Sequence, residues 1–262
     1  MTTLPAAGSL RPTRTETHSL GAAEVTVADR DRTRTFLLLH GGGGVATMAG
    51  FADLLAERTQ SRVLLPTHPG FAGTPKADTL TGVTALGRLY VELLDQLGLV
   101  DVTVVGNSFG GWLAAEIALL KSPRVSGAVI VDGIGIEVEG HPITDISGMS
   151  LPEIRALSFH DPGQAPVPPA GGGTGPSPDV RALIGYTGPA MADPALAGRL
   201  GEIGIPVHVI WGESDGIAGP EYGKAYAAAI PCSTFTLLPR TGHLPQVETP
   251  EELLGALLDL GL

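Results

Sequence analysis

The pentapeptide Gly106-Asn107-Ser108-Phe109-Gly110 has the form G-x-S-x-G. It lies between an apolar strand-like run, VTVV, and a segment with helical character. In that setting the serine sits on a sharp strand-to-helix turn with its hydroxyl presented outward, and Gly106 and Gly110 leave room where side chains would collide. The start of the following helix offers free N–H groups and a positive dipole end to developing negative charge. A serine hydroxyl becomes a nucleophile only when a base takes its proton. Of the seven histidines (18, 40, 68, 141, 160, 208 and 243), His243 alone lies after the last strand-like run, in the loop Pro239–His243. An acid that holds a histidine in one tautomer should follow a strand between the serine and the histidine. Asp215, in Trp211-Gly212-Glu213-Ser214-Asp215, fits that place; Glu213 and Asp132 compete for it.

A second glycine cluster, His40-Gly41-Gly42-Gly43-Gly44, directly follows TFLLL. Glycine lets backbone N–H groups come close to an oxyanion. The expected donors are the N–H of Phe109 and that of Gly42, with Gly43 as alternative. A phosphate loop is disfavoured, since no G-K-[ST] follows and no G-x-G-x-x-G spacing completes. His40 reads as structural, His208 as a strand residue, packed or facing outward, and His68, His141 and His160 as surface loop positions.

These residues need a scaffold that alternates strand and helix, and the sequence supplies one. EVTVA (24–28) alternates as an edge strand would, and residues 1–20 read as a poorly ordered or strand-like lead-in. TFLLLH (35–40) and VLLP (63–66) are continuous apolar runs of the kind buried on both faces of a parallel sheet. ATMAGFADLLAERT fits a helix between them. Leu86, Leu89, Tyr90, Leu93, Leu94 and Leu97 recur at helical spacing, with Gly98 where a C-terminal cap would fall. VTVV (102–105), a helix from Ser108 to Lys121, VSGAVIVD (125–132), PVHVIWG (206–212), a helix near 219–229, STFTLL (233–238) and a closing helix bearing Leu253, Leu254, Leu257 and Leu258 complete the pattern. Strict alternation predicts a mostly parallel central sheet with helices on both faces, an α/β architecture.

The alternation breaks between Asp132 and Pro206. Residues 161–178 hold six prolines and five glycines, which no regular helix or strand survives. A connection of this length is a lid or binding loop more often than a plain turn. The expected division is a core of 1–133 and 201–262 with a cap inserted at 134–200, in which LPEIRAL (151–157) and DVRALIGY (179–186) are short helices. Met149, Phe159, Tyr186 and Met191 either line a pocket under this cap or pack it onto the sheet.

LLLHGGGG, GNSFGG, WGESD and GHLPQVETP, in this order, resemble the α/β-hydrolase superfamily over about residues 20–132 and 205–262. The resemblance implies the α/β-hydrolase fold and a triad of Ser108, Asp215 and His243. HGGGG followed by GNSFGG is similar to the carbon–carbon bond hydrolases that cleave vinylogous diketones. Those enzymes usually have proline in the glycine run and tryptophan after the histidine, where this chain has Gly44 and Leu244. Branches with an aspartate nucleophile are disfavoured by Ser108. The implied function is hydrolysis of a small ester, lactone, thioester or activated C–C bond. A cyclase or acyl transferase on the same cradle, and a non-catalytic ligand-binding member, are the alternatives.

Composition bounds the rest. A 43% hydrophobic and 16% charged chain of 262 residues can bury a sizeable core. The net charge of −11 disfavours nucleic acid and anionic lipid. The single cysteine, Cys232, excludes an intrachain disulfide and a thiolate metal cluster. No run approaches the ~20 apolar residues of a membrane span, and the N-terminus has no secretory apolar region. A cytoplasmic enzyme acting on a small molecule, with no cofactor and no metal, is the expectation.

Overall fold

The apolar runs form the centre of one eight-stranded sheet. The structure, a computed structural model, describes residues 14–30, 35–146, 148–165 and 177–259. In chain order the elements begin with β1 (Arg14–Leu20), β2 (Ala23–Arg30), β3 (Thr35–Leu39), α1 (Ala46–Thr59), β4 (Arg62–Thr67) and α2 (Val83–Gln96). Next come β5 (Val102–Asn107), α3 (Phe109–Leu119) and β6 (Val125–Val131). Between the sixth and seventh strands lie α4 (Leu151–Ser158), a 3₁₀ turn (Pro162–Gln164), α5 (Pro178–Thr187) and α6 (Leu196–Leu200). The chain closes with β7 (Val207–Gly212), α7 (Pro220–Ala228), β8 (Ser233–Leu238), α8 (Pro245–Glu248) and α9 (Pro250–Leu258).

Strand order is β1-β2-β4-β3-β5-β6-β7-β8. β3 to β8 run parallel, and β1 and β2 are joined antiparallel at one side. The 24–28 strand expected at the edge is therefore internal. A two-residue turn at 21–22 folds residues 14–20 back along it, from Arg14↔Asp29 to Leu20↔Ala23. The Pro/Gly-rich expectation for 161–178 falls partly on residues outside the described set, and its described start is only the short 3₁₀ turn.

Period-two alternation splits the buried strands between two cores. Phe36 and Leu38 pack with Met48 and Phe51 of α1 and Leu253 and Leu257 of α9. Leu37 and Leu39 face the other way, with Leu86, Tyr90 and Leu93 of α2 and Leu113 and Ile117 of α3. The α2 stripe is buried as its spacing predicts, and Gly98 ends that helix region at φ +63°. Each such large apolar side chain contributes about 1.5–3 kcal/mol.

The order of strands decides where a site can form. From β3 the chain moves outward to β4, then crosses back to lay β5 on the opposite side of β3. Crevices open at the carboxyl ends of strands where the winding reverses in this way. Register pairs Leu39 with Gly106, so the loops after β3 and β5 emerge side by side.

Candidate active site

The turn after β5 is as sharp as its glycines suggest. Strand gives way to helix with one residue between, and Ser108 takes φ 56°, ψ −117°. A non-glycine residue held so costs on the order of 1–3 kcal/mol, which the surrounding structure must hold in place. A Cβ at Gly106 would fall inside contact distance of the Gly110 carbonyl, and one at Gly110 would do the same against that of Leu39. Ser108 N–H donates to Val131 O (2.9 Å), and its own carbonyl accepts from Gly111, Trp112 and Ile134 N–H.

Asp215 and His243 come together. His243 Nδ1 lies 2.7 Å from Asp215 Oδ2, and both residues are buried. Asp215 Oδ1 accepts from Ile217 N–H (2.8 Å) and Ala218 N–H (3.1 Å). With that carboxylate already accepting, the imidazole proton belongs on Nδ1, which leaves the Nε2 lone pair free. Asn107 ties the histidine loop to the serine turn: its Nδ2 donates to the carbonyls of His243 (2.9 Å) and Val131 (3.2 Å), and its Oδ1 accepts from Gln246 Nε2 (2.9 Å). Neither Asn107 nor Gln246 follows from triad logic alone; Asn107 occupies an unspecified position of G-x-S-x-G.

Neither competing acid is the one bonded to His243. Glu213 is exposed and accepts from Arg240 N–H. Asp132 is fully buried beside Asp215; burial and that neighbouring carboxylate push its carboxyl well above the usual range. Oxygens of Asp132 and Asp215 and a ring nitrogen of His243 all lie within 4.8 Å of one another. Two tetrahedral ligand atoms about 2.0–2.1 Å from zinc would sit about 3.3 Å apart, and the Asp215–His243 contact is shorter, at 2.7 Å, so these two atoms as placed do not fit tetrahedral zinc.

The glycine loop is held from beneath by two histidines. His68 backbone N–H donates to His40 Nε2 (3.2 Å), so His40 carries its proton on Nδ1 and donates to Gly41 O (2.8 Å). His68 Nε2 donates to His40 O (3.0 Å), while its Nδ1 accepts from Tyr90 O–H (2.5 Å). The ring centroids lie 3.8 Å apart, with the planes tilted by 32°. Burial lowers His40 to about 4 and His68 well below the usual histidine value, so both are neutral. Gly41 O also accepts from Gly44 N–H. Across a trans peptide, a fixed Gly41 carbonyl aims the Gly42 N–H the opposite way. A Cβ on Gly41 would come within 3.0 Å of Ser108 Cβ, so this loop lies against the serine. Among the described residues, neither Phe109 nor Gly42 N–H is engaged in a hydrogen bond. His68 is thus not the surface residue its loop suggested. Its ring fills the space between His40, Phe71, Tyr90 and Phe109, a packing no local pattern announces. His141 and His160 are exposed as expected, and His208 is packed against Thr236.

The segment between β6 and β7 contributes backbone to the site. The end of α4 bridges the acid and base loops: Leu157 O accepts from Gly216 N–H (2.9 Å) and Ser158 O from His243 N–H (2.8 Å). From α5, Leu183 covers Gly42 and Asp179 accepts from Ala72 N–H (2.8 Å). Tyr186 stacks on Phe109 at 5.8 Å and donates to Pro69 O. Of the four side chains expected to line or pack this segment, Tyr186 and Phe159 are buried packing residues, while Met149 and Met191 are half-buried.

Comparison with known proteins agrees with this architecture. The model of the Alpha/beta hydrolase family matches residues 36–256. A 2-hydroxy-6-oxo-2,4-heptadienoate hydrolase of Pseudomonas putida is 31% identical over 122 residues, 45% of this chain and 44% of that protein. The chain thus matches less than half the length of that relative. A 2-hydroxy-6-oxononadienedioate/2-hydroxy-6-oxononatrienedioate hydrolase of Cupriavidus pinatubonensis is 27% identical over 82% of each chain. Among solved structures, a thermophilic esterase from Thermogutta terrifontis superposes with a TM-score of 0.67 at 21% identity, covering 95% of this chain and 98% of that one. The relatives carry hydrolase names, in line with the enzyme class expected from the sequence.

Proposed function

The chain belongs to the alpha/beta hydrolase family, and from that premise we propose that it is a serine hydrolase in which Ser108, His243 and Asp215 act as nucleophile, base and orienting acid. One observation carries the reading: a buried His243–Asp215 pair at 2.7 Å, roped by Asn107 to a serine on a strained turn. In the reaction, His243 Nε2 takes the Ser108 Oγ proton as Oγ attacks a substrate carbonyl. The N–H groups of Phe109 and Gly42 receive the negative oxygen, and Asp215 stabilises the imidazolium. The proton then passes from His243 to the leaving group, and water, activated by the same base, releases the acyl group from Ser108.

The substrate is a small carbonyl compound with an ester, lactone, thioester or activated C–C bond to break. The relatives named for 2-hydroxy-6-oxodienoate hydrolysis favour the C–C bond among these. In that case the His243 proton goes to the carbon leaving group. Residues 134–200 act as the cap, with Leu183 over Gly42 and Tyr186 over Phe109.

The test is intact mass after treatment with a fluorophosphonate. A single adduct is expected, absent in Ser108→Ala, with turnover of a cleaved dienoate or p-nitrophenyl ester falling about 10⁶-fold or to background in that variant. A Ser108→Ala protein that labels or turns over like the wild type overturns the proposal.

A further inference from the structure

Asp132 takes no part in the reaction derived above, yet it is the acidic group most completely enclosed by the site. It follows β6 directly at φ 46°, with its N–H donating to Ile210 O (3.0 Å). Its Oδ1 accepts from Gly212 N–H (2.8 Å) at the end of β7. Its Oδ2 is buried and meets no N–H or hydroxyl donor. What lies beside it is the Asp215 carboxyl group: an oxygen of each aspartate and a ring nitrogen of His243 lie within 4.8 Å of one another.

Two carboxyl groups can share a hydrogen bond only if one of them carries a proton. The partners decide which. Asp215 accepts from three N–H groups, those of Ile217, Ala218 and the His243 ring, and each favours the anion. Asp132 accepts from one, at Oδ1. Two adjacent buried anions would also repel, so a single proton resides on the less solvated, less hydrogen-bonded group. Since Oδ1 is the acceptor, Oδ2 bears it.

We propose that Asp132 is a positioning residue held as a neutral carboxylic acid, its Oδ2–H donating to the Asp215 carboxylate that orients His243. The direction in which burial and Asp215 push the Asp132 carboxyl agrees. A donor on Asp215 draws negative charge from its bond to the imidazole and holds the carboxylate against rotation. It thereby lets the Nε2 base form persist to lower pH. This catalytic consequence rests on the serine-hydrolase reading; the protonation state of Asp132 does not. The other titratable groups near this pair are Glu248, which accepts from Gly242 N–H, Glu213 beside Arg240, and His160, bonded to Ser214. All three lie outside the Asp132–Asp215–His243 cluster and stay unchanged across the variants below.

The experiment combines infrared difference spectroscopy with the pH profile of fluorophosphonate labelling for wild type, Asp132→Asn and Asp132→Ala. A protonated-carboxyl C=O band at neutral pH should be present in the wild type and absent in Asp132→Asn. Asparagine keeps both bonds, accepting from Gly212 and donating to Asp215, so the acid limb of its labelling profile should not move. Alanine removes the donor, and the acid limb should rise by about one pH unit, the scale of a hydrogen bond to a charged group. Absence of the band, or an acid limb that falls in Asp132→Asn because a negative charge has been removed, overturns the proposal. So does an Asp132→Ala enzyme with an unmoved limb, which would make the residue merely structural. If alanine prevents folding, the band and the asparagine profile decide. A wild type that does not label at all refutes the serine-hydrolase reading instead, and the infrared band still judges Asp132.

Discussion

Arg199 bolts the segment between β6 and β7 to the helix that begins at the nucleophile, and its removal should be costly. Glu116, on α3, is 1% exposed. Arg199 of α6 grips both its oxygens, Nη2 to Oε1 at 2.6 Å and Nη1 to Oε2 at 3.1 Å, and also reaches Asp193 Oδ2 at 2.8 Å. Taking one partner from a buried pair typically costs about 3–5 kcal/mol, because the remaining charge is stranded. Two features moderate this. The Arg199 side chain is 34% exposed, so water can follow its loss, and Thr84 Oγ1 (3.0 Å) and Trp112 Nε1 (3.4 Å) still donate to Glu116. Arg199→Ala should therefore lose about 2–3 kcal/mol, or about 4–12 °C in Tm at the roughly 2–4 °C per kcal/mol expected for a domain of this size. Calorimetry and urea unfolding of Arg199→Ala, Glu116→Gln and the double variant provide the assay. The double variant should be more stable than Arg199→Ala alone, because no buried charge is left behind. An Arg199→Ala protein within about 0.5 kcal/mol of wild type, or a double variant no better than the single, refutes the reasoning.

Relief of the turn at Ser108 should separate stability from activity: Ser108→Gly is expected to raise Tm by a few degrees, on the order of 1 kcal/mol, while abolishing fluorophosphonate labelling. Asn107→Ala strands the carbonyl of His243 and the amide of Gln246 and takes one of two donors from the Val131 carbonyl. It should lower the labelling rate at least about tenfold with about 2–4 kcal/mol of stability lost, as read by mass spectrometry and urea unfolding; unchanged labelling would remove Asn107 from the positioning of His243. Burial lowers His40, His68 and His208. The unfolded chain therefore takes up protons that the fold refuses, so stability should fall as pH drops from about 6.5 towards about 4, and His208→Gln should flatten part of that fall in acid denaturation. Asp132 works with the opposite sign. Its raised folded-state value means stability is fully present below the unfolded value of about 3.9 and is lost as pH rises. Asp132→Asn should gain stability relative to wild type from acid to alkaline pH, and equal slopes in the two proteins would contradict a neutral Asp132.

Local pattern determined a good deal by itself. The unbroken apolar runs and the 3- and 4-residue stripe of α2 specify strands buried on both faces and helices that cover them, since burial is set by period. Chain order placed a serine turn, an acid and a histidine after β5, β7 and β8, because a parallel sheet delivers all its carboxyl ends to one side. What depends on residues meeting at a distance had no such signal. β2 became internal only because a hairpin partner lay before it. His68 became a buried support because the ring of His40, 28 positions away, packs against it. The carbonyls of Leu157 and Ser158 reach the acid and base loops across a segment whose composition announced only irregularity. Asp132 and Asp215 looked like rivals for one role in the sequence. Only the adjacency of the β6 and β7 ends puts them in one buried space, where two carboxyl groups cannot both be charged and must divide the proton between them.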